Sequence, residues 1–597
     1  MTEKLIHLTI NGKPVAAKEG QTILEAAKDS NIYVPSLCYL EGVHKFGGCR
    51  LCMVEVEGAR SLVAACMVPA RDGMVVKTNS AKARHARKLN CELILSNHPQ
   101  DCLSCARSGQ CELQALSQTL GINEARFKGA LSEGLVDMSP SITRDTSKCV
   151  LCRRCVSVCN QIQKVGVLNP QNRGFATTVG PSEGKSIAEV DCTNCGQCVI
   201  ACPVNALSET SSIQKVWEAI NNPNQRVVVQ AAPAVRVAIG EEFGMPPGFP
   251  VTGKLATALK ELMFDDVFDT NFAADLTVME EGSEFLRRVK DFLHGGEAVL
   301  PMITSCSPGW VKFLEHRYPE RLGHLSTCKS PHMMMGALVK SYYAQKLQMD
   351  PKNMFVVSVM PCTAKKFEIV RPELSNNGLP NVDAVITTRE LADMIREAGI
   401  DFVNLPDSSF EAPMGIASGV ADLFGVTGGV MEAALNTVYE LVTGRGLPDG
   451  LRTVPTDNEN RIRTAEIFFE HCLPQYQFLE GFKAKVAVAS GFAGADILMK
   501  EIAGGSSPYH FIEIMGCPGG CVTGGGQPRS SIRNAWAERA SGVGHEFEKK
   551  TFRKAHDNPA IQKLYNEFLL EPLGYRSHDL LHTHYTPRGV YAEDAKE

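Results

Sequence analysis

The apolar positions follow two patterns, one at the front of the chain and one at the back. Within residues 1–80, the strand-like runs IHLTI and VAAKEG flank a turn at NGKP, and the helical stretch TILEAAKDSNI precedes further strands at MVEVEG and SLVAAC. From about Val216 onward, short β-rich runs such as RVVVQAAP, MFVVSVMPC, KVAVASG and FIEIMGC alternate with helical segments. This alternation predicts α/β units around largely parallel sheets. Binding residues are then expected just beyond the carboxyl ends of the strands.

Length and charge narrow the class of protein. A chain of 597 residues is too long for one hydrophobic core, so several domains are expected. The net charge of −5 does not indicate the basic surface that is typical of nucleic-acid-binding proteins. No apolar run approaches the roughly 20 residues that span a bilayer. The opening MTEKLIHLTINGKPVAA lacks the apolar core of a secretory signal, so the cytoplasm is the expected location.

Cysteine usage points to metal chemistry. Of the 22 cysteines, sixteen lie before position 203. In a large chain without a secretory signal, such thiols indicate metal ligation rather than disulfides. So many thiolates also favour a reducing, anaerobic setting.

Residues 1–80 carry loop cysteines in a small strand–helix–strand domain. The four candidate ligands of this domain are Cys38, Cys49, Cys52 and Cys66. The pattern resembles plant-type [2Fe–2S] ferredoxins with altered spacing, which implies a β-grasp domain. It is most similar to the version at the front of the large iron–sulfur subunit of respiratory complex I. A zinc site is the alternative, because zinc also binds four cysteines.

Residues 81–138 begin with the helical stretch AKARHARKLNCELILSNH. The imidazole and three thiolates that follow it are spaced H-x3-C-x2-C-x5-C: His98, Cys102, Cys105 and Cys111. They can complete a [4Fe–4S] site, and the segment again resembles the complex I subunit, whose equivalent binds a His/Cys3 cluster. Cys91, in mid-helix, is interpreted as a buried core thiol.

Residues 139–212 contain two runs with the spacing of bacterial two-cluster ferredoxins. In that pattern the fourth cysteine of each run binds the other cluster. One [4Fe–4S] cube is therefore expected on Cys149, Cys152, Cys155 and Cys202. The other is expected on Cys192, Cys195, Cys198 and Cys159. A purely structural role for these clusters is the alternative.

Residues 213–597 contain three cysteine-bearing stretches that resemble the signatures of [FeFe]-hydrogenases. They read TSCSPGW (304–310), MPCTAKKFE (360–368) and EIMGCPGGCVTGGGQP (513–528). The front domains match the long, four-accessory-cluster members of that family in order and type. The resemblance implies an α/β catalytic domain with an H-cluster: a [4Fe–4S] cube bridged by a cysteine to a diiron unit that carries CO, CN⁻ and an azadithiolate. No dinucleotide-binding or Walker motif is present, so a nucleotide site is not expected in this chain.

The resemblance also assigns roles around that cluster. Cys362, Cys517 and Cys521 would bind the cube, with Cys521 as the bridge, and Lys365 would hydrogen-bond an iron-bound cyanide. The side chains that would pack around the diiron unit are Pro233, Met360, Phe424 and Met515. Gly428 and Gly429 resemble the glycines at which the backbone of this family approaches the cluster closely. Ala234 and Ala364 stand where the family often has serines near the cyanide ligands, which would weaken hydrogen bonding to the diiron unit.

The segment MEEGSEFLRR resembles the proton path of the family. Glu281 and Glu284 would be relay carboxylates on one helix face, and Arg288 would stand at the outer end. Ser326 resembles the relay hydroxyl, and Cys306 resembles the thiol that exchanges protons with the diiron unit. Without the resemblance, the two glutamates would be interpreted as a solvated acidic face.

One residue departs from the family pattern. The first signature usually reads T-S-C-C-P, and its second cysteine binds the cube, but this chain has Ser307 there. A serine hydroxyl is a harder and poorer iron ligand than a thiolate. Cys306 can take over ligation, Ser307 can bind through oxygen, or Cys328 can supply the thiolate. The favoured prediction is Cys328, and its alternative is a buried core thiol.

These patterns predict a cytoplasmic [FeFe]-hydrogenase that catalyses 2H⁺ + 2e⁻ ⇌ H₂. One [2Fe–2S] and three accessory [4Fe–4S] clusters would relay electrons to ferredoxin, to a flavoprotein NAD(P)-linked subunit, or to both, and maturation proteins would supply the diiron unit. The main alternative is a hydrogenase-like iron–sulfur assembly protein that lacks the diiron unit. Two further alternatives are a complex I-type dehydrogenase subunit, which leaves the back signatures unexplained, and a hydrogen sensor, which would carry a signalling domain.

Overall fold

A computed structural model describes residues 4–124, 126–129, 134–447, 454–457, 459–530, 532 and 534–589. The chain forms two compact units. The first comprises residues 1–162, 166–187 and 197–208, and the second comprises residues 163–165, 188–196 and 209–597. The predicted division into four domains, at 1–80, 81–138, 139–212 and 213–597, stays a prediction.

The first unit opens with a five-stranded mixed sheet. Its strands are Leu5–Ile10, Lys13–Lys18, Met53–Val56, Val63–Ala64 and Val75–Lys77. The first two strands form the predicted hairpin, and Leu5–Ile10 also pairs in parallel with Val75–Lys77. The helix Ile23–Asp29 begins at a capping box between Thr22 and Glu25, which satisfies backbone donors of its first turn.

The rest of the first unit is made of short elements around its cysteines. Its helices are Ala81–Ser96, Glu112–Thr119, Arg154–Ser157 and Gln197–Ala201. Its strands include two antiparallel pairs, Val136–Met138 with Ile142–Asp145 and Asn169–Gln171 with Thr178–Gly180, and the first pair belongs to a three-stranded sheet. Cys91 is fully buried in the helix Ala81–Ser96.

The second unit contains a four-stranded, fully parallel sheet. In spatial order its strands are Asp266–Asp269, Arg226–Ala231, Met354–Met360 and Ala384–Thr387. Every residue of Met354–Met360 is buried, as expected for a strand covered on both faces. The predicted α/β architecture with parallel strands is therefore confirmed.

A second, mixed sheet lies in the same unit. In spatial order its strands are Met302–Ile303, Phe511–Met515, Lys483–Ser490, Ile462–Phe468 and Val454–Asp457. The first three strands are parallel and the last two pairings are antiparallel.

Helices surround these two sheets. The longest is Thr270–Leu293, and most of its residues are buried. The other α-helices of the unit are Ile213–Ile220, Thr252–Glu261, Pro308–Arg317, Pro331–Leu338, Ala344–Leu347, Ala364–Glu368, Thr388–Glu397, Gly419–Asp422, Gly429–Thr443, Phe492–Ala503, Ala535–Lys549, Pro559–Leu564 and Tyr575–Leu581. Among the helices that the structure describes, none is both long and apolar enough to cross a bilayer.

Candidate active site

A cavity lies at the carboxyl ends of parallel strands from both sheets. The segments that line it follow Arg226–Ala231 and Met354–Met360 of one sheet, and Met302–Ile303 and Phe511–Met515 of the other. This is where the sequence placed the binding residues. The cavity has a volume of about 90 Å³. Its lining includes eleven predicted site residues: Pro233, Ala234, Cys306, Ser307, Met360, Cys362, Lys365, Phe424, Met515, Cys517 and Cys521.

Thiols from three signatures meet in this apolar cavity. Burial raises the pKa of Cys362 and Cys306, and it raises the pKa of Cys521 to about 12. A bare thiolate is therefore disfavoured here, and a cationic metal partner reverses that preference. The donor set suits soft, thiolate-binding iron rather than a hard cation.

Lys365 is held at the cavity by two oxygens. Its Nζ donates to the Cys306 carbonyl at 3.1 Å and lies 2.8 Å from Glu368 Oε2. Glu368 is also 2.6 Å from His332 Nε2. Burial alone would raise the pKa of Glu368, but the neighbouring Lys365 and His332 lower it to about 2. Burial, and then the charge of Lys365, lower the pKa of His332 to about 4. His332 is therefore neutral, and its Nε2–H donates to an ionised Glu368.

Gly428 and Gly429 are not among the residues that line the cavity. They shape the turn that opens the helix Gly429–Thr443. Gly428 has φ +95°, and its N–H donates to Glu513 Oε1 at 2.7 Å. A Cβ on Gly429 would stand 1.8 Å from the Leu423 carbonyl oxygen, so only glycine fits.

Ser307 lines the cavity beside Gly516, the residue that precedes Cys517. It precedes the helix Pro308–Arg317, yet its hydroxyl does not cap that helix. Its Oγ instead accepts a hydrogen bond from the Gly516 N–H at 3.2 Å. Cys306 packs against the apolar cluster to which Phe424 and Met515 belong.

The structure places Cys328 apart from the cavity. Its thiol is fully buried, and its Sγ is 3.9 Å from Glu284 Oε2. It is not among the cavity-lining residues, whereas Cys306 and Ser307 are. The structure therefore does not support our favoured assignment of Cys328 as the fourth cube ligand, because its side chain faces the polar residues of the long helix instead.

The predicted proton-path residues lie together beside the long helix Thr270–Leu293. Ser326 Oγ donates to Glu284 Oε2 at 2.9 Å, and Arg288 Nη2 donates to Glu284 Oε1 at 2.7 Å. Burial, and then the neighbouring Glu284 carboxylate, raise the pKa of Glu281 to about 8. The Glu281 charge in turn contributes to the raised pKa of Cys306, so the two groups are close enough to interact. Neither Glu281 oxygen forms a hydrogen bond of full geometry among the residues that the structure describes, although the Ser326 hydroxyl and the Ser305 backbone lie close enough to lower its pKa against the effect of burial.

In the first unit, two predicted ligand groups are brought together. Cys52 Sγ and Cys66 Sγ are 3.3 Å apart, and the Cys38 thiol lies within hydrogen-bonding reach of Cys49 and Cys66. A second cavity, of about 30 Å³, is lined by all four predicted ligands of one cube: Cys149, Cys152, Cys155 and Cys202. The crossed ligand pattern predicted from the spacing thus agrees with this geometry.

For the other two predicted ligand groups, the structure brings only some of the residues together. His98 Nδ1 is buried and has no hydrogen-bond partner in the described part of the chain, as expected of a nitrogen reserved for a metal. Cys105 contributes to the raised pKa of Cys111, so these thiols are close. The remaining cube ligands are divided between the two units: Cys159 and Cys198 in the first, Cys192 and Cys195 in the second. Their common cluster stays a prediction.

Fold and cavity together define an iron–sulfur oxidoreductase whose α/β unit can hold a cysteine-bound metal centre. The family profile described as "Iron only hydrogenase large subunit, C-terminal domain" matches residues 225–525. The chain therefore belongs to the [FeFe]-hydrogenase family, and it is an oxidoreductase that acts on H₂. Further profiles match a 2Fe–2S binding domain at 3–81, an NADH–ubiquinone oxidoreductase-G iron–sulfur region at 87–126, a 4Fe–4S dicluster domain at 148–206 and the iron hydrogenase small subunit at 533–588.

Similar proteins support this assignment along the whole chain. The NADP-reducing hydrogenase subunit HndD of Solidesulfovibrio fructosivorans is 48% identical over 98% of this chain and 99% of its own length. Iron hydrogenase 1 of Clostridium pasteurianum is 40% identical over 97% and 99%. A solved structure of a variant of [FeFe]-hydrogenase HydA1 from Chlamydomonas reinhardtii is 42% identical, with a TM-score of 0.58, over 64% of this chain and all of its own.

The assembly-protein alternative is the weaker one. Cytosolic iron–sulfur assembly component 3 of Rattus norvegicus is 30% identical over 66% of this chain. That similarity is more distant and covers less of the chain than the hydrogenase similarities. The prediction of a hydrogenase is confirmed.

Sequence reasoning missed several residues around the site. His332 lines the cavity, and Glu368 lies within the second signature, but neither was assigned a role. Their pairing joins a helix to a segment 36 positions away, which no local pattern reveals. The buried carboxylate of Glu513, which accepts bonds from Gly428 and Met431, was likewise missed.

Proposed function

We propose that hydrogen is activated in the cavity between the two sheets, and that protons travel along Cys306, Glu281, Ser326 and Glu284 to the outer end of the path at Arg288. The observation that carries the proposal is the convergence of three cysteine signatures and Lys365 on one apolar cavity, with buried relay carboxylates beside it. When bound there, the H-cluster supplies the two-electron chemistry of H₂. The protein side chains position it, exclude water and move protons.

We assign the cube to four ligands. Cys362, Cys517 and Cys521 supply thiolates, and Cys521 is the proposed bridge. Ser307 supplies an oxygen at the fourth corner, because it lines the cavity and bonds to Gly516, the residue before Cys517. Cys306, which packs against the apolar wall on the Glu281 side, then keeps the proton-exchange role.

The other lining residues protect and orient the metal centre. Met360, Met515 and Phe424 are nearly fully buried and exclude water. The Lys365 ammonium, held by Glu368 and the Cys306 carbonyl, is placed to donate a charge-assisted hydrogen bond to a negatively charged ligand of the cluster.

Proton movement begins at a carboxyl group that holds its proton at neutral pH. With a pKa of about 8, Glu281 is mostly protonated at pH 7 and is poised near the working pH. Ser326 lies on the path to Glu284, and its hydroxyl already donates to that carboxylate. Arg288, with a partly exposed side chain, marks the outer end.

The cofactor inventory follows from the ligand sets. We assign one [2Fe–2S] cluster to Cys38, Cys49, Cys52 and Cys66, one [4Fe–4S] cluster to the His98 set, two [4Fe–4S] clusters to the paired ferredoxin motifs, and one H-cluster to the cavity. The profiles matched to the front of the chain support this order. Iron and acid-labile sulfide counts on the matured protein test it.

The electron partner is proposed to be a separate flavoprotein subunit that reacts with NAD(P). The support is the 48% identity, over nearly the full length, to a protein named as one subunit of an NADP-reducing hydrogenase. This chain has no dinucleotide motif of its own, so the cofactor chemistry must come from a partner. Ferredoxin is the second electron carrier that its clusters can serve, and we place the complex in the cytoplasm.

Anaerobic affinity purification from the native host, followed by infrared spectroscopy, tests both parts of the proposal. Bands of CO and CN⁻ in the matured protein are expected, together with a co-purifying flavoprotein. Absence of those bands after complete maturation would favour the assembly-protein alternative. Bands without any flavoprotein, and with ferredoxin-dependent turnover, would remove the NAD(P)-linked partner but leave the hydrogenase.

A further inference from the structure

Lys312 is a buried lysine without an acidic partner. It lies on the helix Pro308–Arg317, which begins directly after Ser307, and it is only 5% exposed. Its Nζ lies 4.3 Å from the centre of the Phe367 ring, and it forms no ion pair with a carboxylate among the residues that the structure describes. Because the burial of an unpaired charge is costly, an ammonium in this position requires a nearby anion.

The carboxylates closest to this ammonium are already engaged. Glu315, one turn further along the same helix, uses both of its oxygens to bind Arg371, and Arg588 binds it as well at 2.8 Å. Asp191 lies 3.4 Å from Arg317 Nη2. Neither carboxylate is therefore available as the anion.

The anion that remains is the thiolate of Cys192. A Cβ on Gly309, one turn before Lys312, would stand 3.3 Å from the Thr193 carbonyl oxygen, so the helix packs directly on the segment that contains Cys192. The ion pair at Asp191 fastens the other end of the helix to the same segment. Burial lowers the pKa of Lys312 to about 8, and the Cys192 thiolate is the strongest influence that opposes this fall.

The same segment contacts the walls of the active-site cavity. Thr363 Oγ1, in the residue after Cys362, donates to the Asn194 carbonyl at 2.7 Å. A Cβ on Gly525 would stand 2.2 Å from the Cys195 carbonyl oxygen, so only glycine lets the two backbones approach this closely. A cluster bound by this segment is thus one hydrogen bond away from the residues that carry a proposed cube ligand.

The segment also fits an iron–sulfur cluster. Asn194, between the two cysteines, is 1% exposed, and both polar atoms of its side chain lack a hydrogen-bond partner in the part of the chain that the structure describes. Buried polar groups normally have partners. The sulfur atoms of a cluster accept hydrogen bonds, so the buried amide suits the surroundings of one.

We propose that Lys312 is the counter-ion of the [4Fe–4S] cluster assigned to Cys192 and Cys195, and that it raises the reduction potential of that cluster. The inference rests on the proposed assignment of the cluster. A [4Fe–4S] cluster gains one negative charge when it accepts one electron from the electron partner of the enzyme, and no bond forms or breaks. A buried cation stabilises the reduced form more than the oxidised form. An electron is thereby favoured at a position beside the cavity, where H₂ evolution consumes it.

Redox titration of the full-length, matured protein, followed by EPR, tests the proposal. The signal of this cluster is the one that Cys195→Ser changes or removes. Lys312→Met is expected to lower its reduction potential: at a fixed applied potential the ratio of reduced to oxidised cluster falls about tenfold, which is about 59 mV for one electron. Lys312→Arg keeps the charge and should titrate like the wild type. Lys312→Gln gives the same comparison if the methionine variant does not fold.

Lys352→Met is the matched control. It removes an exposed positive charge beyond the end of the strand Met354–Met360 that points away from the cavity, and it should leave the potential unchanged. The proposal is overturned if the neutral variants of Lys312 titrate like the wild type, or if Lys312→Arg shifts as far as Lys312→Met, which would indicate a packing effect. Iron counts report separately on the proposed function. If Cys195→Ser changes neither the iron content nor any EPR signal, the cluster assignment itself is wrong, and this inference falls with it.

Discussion

Glu281→Gln is expected to stabilise the protein at alkaline pH while it lowers H₂ turnover. Glu281 is 1% exposed, and its carboxylate lies near the Ser326 hydroxyl and the Ser305 backbone but forms no hydrogen bond of full geometry with a described residue. Burial, followed by the charge of Glu284, raises its pKa from 4.5 to about 8. Glutamine has the same shape but carries no ionisable proton, so the variant isolates the cost of the charge.

The sign of the effect follows from proton linkage. Between pH 4.5 and 8 the folded state keeps a proton on Glu281 that the unfolded state has lost. The free energy of unfolding therefore falls as the pH rises through this window. At 1.36 kcal/mol per pH unit, the loss amounts to about 5 kcal/mol at pH 8, and it is near zero below pH 4.5. The glutamine variant lacks this loss.

Thermal unfolding of anaerobic, equally matured proteins at pH 5 and pH 8 measures the difference. The variant should gain several degrees over the wild type at pH 8 and almost nothing at pH 5. Glu297→Gln, at an exposed position, is the matched control and should show no such gain. H₂ turnover of Glu281→Gln should fall by about 10²-fold, because a positioned proton carrier is lost. An equal gain at both pH values, or a loss of stability at pH 8, would refute the reasoning.

Three further predictions concern the cavity and its surroundings. Cys328→Ala should keep the EPR signal of the cube and H₂ turnover, because this thiol lies outside the cavity; loss of the cube signal would restore it as a ligand. Lys365→Met should keep the cube but weaken or shift the CN⁻ bands in the infrared spectrum, because the ammonium that faces the cavity is gone. Unshifted bands would show that Lys365 does not hydrogen-bond a cyanide ligand. Cys306→Ala should keep the cube and lose about 10²-fold in turnover, and a vanished cube signal would make Cys306 a ligand.

Local patterns predicted the framework of the site. The strand runs ending at Met360 and Met515 are followed by cysteines, and parallel strands bring their carboxyl ends to one edge. Pro233, which was assigned through the family resemblance, likewise follows a strand, Arg226–Ala231. For these residues chain order and strand direction suffice, because each lies within a few residues of a strand end.

The rest of the site depends on contacts between distant segments. His332 reaches Glu368 across 36 positions, and Lys312 lies near Cys192, which belongs to a much earlier segment. Neither residue lies in a metal-like spacing, so the sequence offered no reason to select it. Cys328 shows the converse, since it stands next to a relay residue in sequence while its side chain is excluded from the cavity.

As the proposed fourth ligand, Ser307 would give the cube a corner of different chemistry. An oxygen ligand holds iron more weakly than thiolate does, so the fourth iron should be the labile one. Mild anaerobic oxidation of the protein that carries only the cube should therefore convert it to a three-iron form, visible by EPR. Ser307→Cys should resist this conversion, whereas Ser330→Cys, outside the lining, should not. Equal loss of iron from wild type and Ser307→Cys would show that the hydroxyl only supports Gly516, and that the fourth corner is filled by another group.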